Sequence, residues 1–239
     1  MRILITRPKE DAERFAEAAR ARGHEAVCAA VLSVHFYEGP ELTLDGVSAV
    51  LATSANGVRA FARRTDNREL PVFTVGPQTA DAAKRAGFER VECADGDAET
   101  LAAAVTGWVK PEDGVLLHAA SADNDGKVKA LLVEEGYTVD ITALYDIIPA
   151  YKLPEAAREP LARGTLDAVV VFSQRSAQTL RDCIVRARLA HACKRVGAAC
   201  MSRQTAEGLA PLEFRAVAVA AHPNQDGLLD CLDELSPPG

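Results

Sequence analysis

The chain of 239 residues is 48% hydrophobic and 26% charged, an ordinary balance for a globular protein whose length permits one large domain or two of usual size. A formal net charge of −7 argues against general nucleic-acid binding, which needs a basic face, and no apolar run approaches the ~20 residues that span a bilayer. Six cysteines without a CxxC pair and five histidines without an i, i+4 pair speak against a disulfide framework and the common zinc motifs, and point to reduced, mostly buried thiols.

Met1 leads straight into an apolar strand, Arg2–Thr6, with no secretion signal, so a cytoplasmic protein is expected. From Pro8 the positions Ala12, Phe15, Ala16 and Ala19 follow helical spacing, with Pro8 suited to the first turn and Gly23 to the stop. Short aliphatic and β-branched runs predict further strands at Glu25–Ala29, Ala49–Ala52, Pro71–Val75, Arg90–Glu92, Val115–His118, Thr138–Leu144, Ala168–Phe172, Lys194–Ala198 and Arg215–Val219. Helical patterns lie between most of them, which implies parallel sheets covered by helices on both faces. Two stretches read as linkers, Ser33–Leu42 and Tyr145–Pro160, the second because Pro149, Pro154 and Pro160 discourage a continuous helix. The last residues, Ser236 to Gly239, are expected to be disordered.

The pattern repeats. Val47–Phe61 (VSAVLATSANGVRAF) lays over Leu166–Leu180 (LDAVVVFSQRSAQTL), which sets Ser54 on Ser173. Thr79 and Thr205 each stand in a Gln-Thr-Ala of a later matching pair, and the segments from Ile3 and Val115 share an apolar run, a polar turn, a helical pattern and a glycine, Gly23 or Gly136. The duplication argues for two similar α/β lobes. Either each repeat is its own lobe, or the chain crosses over near residue ~35, builds the middle lobe and returns near residue ~150; pattern alone does not choose.

Ser54 and Ser173 end buried-looking strands just before helical patterns, where a hydroxyl caps the first turn, and Thr79 and Thr205 read as caps by the same logic. A cap and nothing more is the plain reading of any one of them. Four at the carboxyl ends of parallel strands, where open α/β sheets bind ligands, point further, to a cleft suited to a multiply charged anion. Because the whole chain is acidic, attraction must come from such local donors and a few arginines. Arg7, just after the first strand, is either solvated or a bidentate partner for a carboxylate. Tyr145, beside the second linker, reads as half-buried packing, or as a weak acid at a hinge. There is no GxGxxG, no P-loop lysine and no G-x-S-x-G, so nucleotide cofactors and a serine nucleophile lack support.

Taken in order, ITRP (Ile5–Pro8), TSANGV (Thr53–Val58), VGPQTADAAKRAGF (Val75–Phe88), ALYDIIPAY (Ala143–Tyr151), VFSQRSA (Val171–Ala177), RQTAEGL (Arg203–Leu209) and the terminal AHPNQDGLLDCL resemble the uroporphyrinogen-III synthase family across nearly the whole chain. Their order and spacing carry the signal, since no single one is specific. The resemblance implies two doubly wound parallel-sheet α/β lobes joined by a two-stranded β-ladder, with residues 1–35 and 151–239 forming one lobe and 36–150 the other. It implies a cyclising hydro-lyase, without metal or organic cofactor, that converts hydroxymethylbilane into uroporphyrinogen III with loss of water and inversion of ring D. Tyr145 then matches the residue that assists the departing hydroxyl, and Ser54, Thr79, Ser173 and Thr205 match hydroxyls that line the family's cleft, with Arg7 added as a carboxylate partner. Two departures stand out: HAASADNDG (His118–Gly126) lacks the family's Gly-Arg element, and Ser202 stands where glycine is common. A monomer is expected, with hydroxymethylbilane synthase as a transient contact. The competing reading is a cytosolic two-lobed binding or sensor protein for a small polyanion.

Overall fold

The computed structural model describes residues 1–236, the side chains of residues 9 and 10 apart; the expectation for the tail beyond Ser236 lies outside the described residues. In chain order the strands are β1 (Arg2–Ile5), β2 (Glu25–Cys28), β3 (Leu32–Phe36), β4 (Val47–Ala52), β5 (Val72–Thr74), β6 (Val91–Cys93), β7 (Val115–Ser121), β8 (Val139–Pro149), β9 (Ala168–Val171), β10 (Gly197–Cys200) and β11 (Ala216–Val219). The helices are α1 (Lys9–Ala21), α2 (Ala55–Ala62), α3 (Pro77–Arg85), α4 (Ala98–Trp108), α5 (Lys127–Glu134), α6 (Glu155–Arg163), α7 (Gln174–Arg186), α8 (Arg203–Glu207) and α9 (Gln225–Leu235). Contacts divide the chain into two units, Met1–Ser33 with Ile148–Gly239, and Val34–Ile147.

The first unit holds a five-stranded sheet ordered β11-β10-β9-β1-β2, with every pair parallel. Alternation along its strands explains why it is covered twice. Leu4, Val169, Val171, Ala198 and Cys200 point to the core shared with α6 and α7. Ile3, Ile5, Ala168, Val170 and Ala199 point to the core shared with α1 and α9. A strand buried on both faces has to be apolar at every position, and Ala168–Val171 is (AVVV, all buried). Each large aliphatic side chain so buried contributes about 1.5–3 kcal/mol. Phe15 of α1 adds an edge-on contact to Phe172, ring centroids 5.2 Å apart.

The second unit repeats the scheme in a six-stranded sheet, β3-β8-β7-β4-β5-β6. Val50 and Ala52 face α2 and α3, whereas Ala49 and Leu51 face α4 and α5. The strands from β8 to β6 are parallel. Strand β3 runs the other way: Tyr37 N–H donates to the Leu144 carbonyl and Ala150 N–H to that of Val31, partners that rise along one strand as they fall along the other. The chain thus leaves the first unit along β3 and returns along β8, hydrogen-bonded to each other.

Three sequence expectations need correction. Ser33–Leu42 is not wholly a linker, because Leu32–Phe36 forms β3; its alternating, half-buried pattern is too short to declare itself without β8 as partner. Tyr145–Pro160 is not a linker either: β8 runs on to Pro149, and α6 follows with Pro160 inside it. A proline there removes one helical hydrogen bond, and its buried ring packs instead under the nine-residue helix. The strand expected at Lys194–Ala198 starts three residues later, since Ala190–Arg195 winds into a 3-10 turn.

Candidate functional site

In an open parallel sheet, helices that leave neighbouring strands on opposite faces open a crevice at the strands' carboxyl ends. In the first unit that reversal lies between β1 and β9, neighbours in register at Ile5 and Val170. Arg7 follows β1 and Ser173 follows β9. The Arg7 guanidinium lies over the Phe172 ring, 4.6 Å from its centroid, a cation–π contact that fixes the charge against the residue preceding Ser173. Ser173 is extended (φ −154°, ψ 158°) and its Oγ accepts from Ser176 N–H at 3.2 Å, while Ser173 N–H donates back to Ser176 Oγ at 3.1 Å. This reciprocal cap is the S-x-x-S variant of a capping box, and it holds the thirteen-residue α7 with its positive end toward the crevice.

One strand over, the expected cap is wrong by three residues. Ser202, not Thr205, caps α8: its Oγ accepts from Thr205 N–H at 3.2 Å and stands 3.0 Å from Thr205 Oγ1. Thr205 is the third helical residue and 1% exposed. The second unit repeats this. Gly76 caps α3 with no side-chain bond, and Thr79, 5% exposed, is again third in its helix. Gly76 and Ser202 share the same backbone angles, φ −155° and ψ 168°. The Gln-Thr-Ala pattern marks the first turn, but a cap precedes the amide it serves by two or three residues, so it falls on the residue before Arg203 or Pro77.

In the second unit the reversal lies between β4 and β7. Ser54 stands two residues after β4, extended at φ −149° and ψ 154°, and caps α2 by accepting from Gly57 N–H at 3.2 Å. The same Oγ lies 2.8 Å from the hydroxyl of Tyr145. Tyr145 is 4% exposed and sits within β8 rather than at a strand end. A register irregularity between Ala120 and Ser121 brings Ser121 opposite Tyr145, and Tyr145 accepts the Ala122 N–H through its carbonyl at 2.9 Å. A small residue on the same face of β7, Ala119, lets the ring reach Ser54 from two strands away. Gly57 matters for the same reason: a Cβ there would overlap the Ala119 carbonyl oxygen, so only glycine lets α2 come this close to β7.

Sequence reasoning noted Ser202 only as a departure from glycine and missed that it caps a helix, and it missed Gly57, although the S-x-x-T spacing and the glycine at the third helical position were both readable. It also passed over His118, which is fully buried and has neither ring nitrogen hydrogen-bonded. Burial holds its pKa well down, from an ordinary 6.5 to about 4, with Asp125 opposing weakly, so it is neutral at pH 7. Burial also pushes the thiols of Cys193 and Cys200 up, to about 11 and about 12, which makes them inert packing groups. Among the described residues no three His, Cys, Asp or Glu side chains gather as a metal site, and no helix is long and apolar enough to cross a membrane.

Hydroxyls, first-turn amides and arginines, Arg7 after β1 with Arg175 and Arg203 in the first turns of α7 and α8, stand at the strand ends, and the second unit adds a hydrogen-bonded tyrosine–serine pair. A family model described as uroporphyrinogen-III synthase HemD matches residues 13–230. No curated protein matches the sequence. Among solved structures, the chain is similar to a mutant uroporphyrinogen III synthase from the extremely thermophilic bacterium Thermus thermophilus, with TM-score 0.55, 19% identity and 98% of each chain covered. It is also similar to uroporphyrinogen-III synthetase from Helicobacter pylori, with TM-score 0.64, 15% identity, and 99% of this chain and 100% of that one covered; at such identities these two speak for the fold. With the family model spanning nearly all of its length, this chain belongs to the uroporphyrinogen-III synthase family of tetrapyrrole enzymes.

Proposed function

We propose that the protein cyclises hydroxymethylbilane, a linear tetrapyrrole bearing acetate and propionate side chains, to uroporphyrinogen III. The observation that carries this reading is the family match over residues 13–230. The hydrogen-bonded Ser54–Tyr145 pair supports it chemically.

The reaction breaks the C–O bond of the ring-A hydroxymethyl group. The pyrrole nitrogen lone pair supplies the electrons, and a proton delivered to the departing oxygen makes it water. The resulting azafulvenium carbon is attacked by the substituted α-carbon of ring D, giving a spiro intermediate. Fragmentation, re-closure on the other α-carbon and loss of a proton deliver the ring-D-inverted product and restore the acid. The substrate's pyrroles do the bond-making, so the protein contributes chiefly orientation, with stabilisation of developing charge second.

Tyr145 is the proton donor in this scheme. When Ser54 donates to the Tyr145 oxygen, the phenolic proton is left for the substrate, and the same bond stabilises the phenolate once it has gone. Arg7 takes carboxylates directly, and Ser173, whose Oγ donates to Ser176 Oγ at 3.0 Å, presents them with the first-turn amides of α7. The α2 amides beside Ser54 do the same, Ser54 itself giving its proton to Tyr145, while Thr79 and Thr205 act from beneath the first turns of α3 and α8, fixing the amides that carboxylates meet. On this reading the protein works in the cytoplasm as a monomer and receives its unstable substrate by transient contact with hydroxymethylbilane synthase.

The test is incubation with freshly made hydroxymethylbilane and chromatographic separation of product isomers. Isomer III well above the uncatalysed background is expected. Isomer I alone, at the spontaneous rate, would instead favour a protein that only binds a polyanion.

A further inference from the structure

Beyond the strand-end turns, the first unit carries an open pocket of about 570 Å³ where the chain leaving β8 meets the start of α6 and the last turns of α7. Arg186 on its wall ends the helix that Ser173 begins, so at a rise of about 1.5 Å per residue the two positions are about 20 Å apart. The pocket is a separate feature from the crevice at the carboxyl ends of β1 and β9.

Its lining runs against the charge of the protein. The chain is −7 overall, yet Lys152, Arg158 and Arg186 converge here with Glu155 as the one carboxylate in the lining. Glu155 does little to neutralise them: it meets Arg158 at 3.4 Å with both side chains more than half exposed, a geometry worth little in water. Arg186 is held flat, its guanidinium carbon 4.9 Å from the Tyr151 ring centroid, and spends one N–H on the Tyr151 carbonyl at 3.3 Å, which leaves other donors of its five to an incoming group. Lys152 has no hydrogen bond or ion pair among the described residues. Three cations against one carboxylate give the lining a local positive excess that favours an anion.

The rest of the pocket is apolar. Leu153 is 6% exposed, and Cys183 is buried with its thiol already donated to the Ala150 carbonyl at 3.1 Å. Burial raises the Cys183 pKa, so it is floor and not nucleophile. Tyr151 is 73% exposed, and Arg186 covers one face of its ring.

We propose that this pocket is a second small-molecule site, one that takes an amphipathic organic anion. A planar or aliphatic body lies on Leu153, Cys183 and the Tyr151 ring, and its carboxylate, sulfonate or phosphate group meets Lys152, Arg158 and Arg186. The volume is within the roughly 300–1,000 Å³ of small-ligand sites, and an apolar bed with a few convergent polar groups is their usual chemistry.

Fluorescence titration with anilinonaphthalene sulfonate, an aromatic anion, tests the site, and neutral N-phenylnaphthylamine serves as the control. Saturable binding of the anion is expected in the native protein. It should weaken about tenfold or more in a K152Q/R186Q variant and measurably in R158Q, since charge-assisted donors are lost. Affinity for the neutral probe should not change, and Tyr145→Phe should bind the anion as the native protein does. The substituted side chains are exposed, so circular dichroism should report native melting in each variant. No saturable binding to the native protein, identical anion titrations in K152Q/R186Q, or parallel loss of both probes would overturn the proposal.

Discussion

The hydroxyl oxygens of Ser54 and Tyr145 lie 2.8 Å apart although 91 residues separate them in the chain. Because the same Ser54 oxygen accepts the Gly57 amide, one atom ties the start of α2 to the middle of β8. The cap and the proposed acid are thereby hydrogen-bonded to each other.

If Tyr145 is the acid proposed above, removing its hydroxyl is felt in rate before stability. Tyr145→Phe is expected to lower kcat for uroporphyrinogen III formation by ~10² to 10⁴, the usual contribution of a general acid, while costing about 0.5–1.5 kcal/mol in urea unfolding for the lost hydrogen bond. Ser54→Ala should move both in the same direction, with a smaller loss of rate. Isomer analysis with hydroxymethylbilane checks this; undiminished turnover by Tyr145→Phe would remove it from the mechanism.

Two glycines in helices should behave oppositely. Gly57→Ala drives a methyl group into the Ala119 carbonyl, so α2 must shift, at a cost of about 1–3 kcal/mol and with the Ser54–Tyr145 pair disturbed. Gly107, in α4, has nothing within 4 Å of a Cβ, and Gly107→Ala should stabilise by about 0.5–1 kcal/mol with activity unchanged. Thermal melts of the two variants decide it, and equal effects would refute the close-approach argument.

The cap positions give a graded test. Ser202→Ala should cost about 1 kcal/mol, whereas Ser202→Gly should cost a few tenths, because glycine caps nearly as well as serine. In the other unit Gly76 has the same backbone angles and open space around its Cβ. Gly76→Ser should therefore gain a few tenths of a kcal/mol by supplying the missing bond. Denaturant midpoints measure all three, and a neutral Ser202→Ala would show that the cap is idle.

His118 sets an acid limit on stability. Its pKa is about 4 in the folded chain against 6.5 unfolded, so between these values the unfolded chain binds more protons and stability falls as pH falls. At about 1.4 kcal/mol per pH unit the loss amounts to about 3 kcal/mol, complete near pH 4. His118→Leu, which replaces two unsatisfied nitrogens with apolar volume, should flatten the profile between pH 6.5 and 4 without lowering stability at pH 7. Unfolding free energies across that range would show an unchanged slope if another group were responsible.

Local chemistry made much of this protein readable from its residues alone. Short, β-branched, two-faced apolar runs such as Ala168–Val171 read as central strands, and Ser54 and Ser173 announce helix starts by their place after such runs, because periodicity and capping act over a few neighbouring residues. Tertiary structure decided the rest. Strand β3 exists because β8 offers it a partner across more than a hundred residues. Thr79 and Thr205 are buried one turn behind the capping positions themselves, and His118 is dry because α4 and α5 close over its face of the sheet. The approach of Tyr145 to Ser54 depends on the small Ala119 in the strand between them and on a shift in its register. Those are pairings between distant segments, and no local pattern encodes which distant segment will arrive.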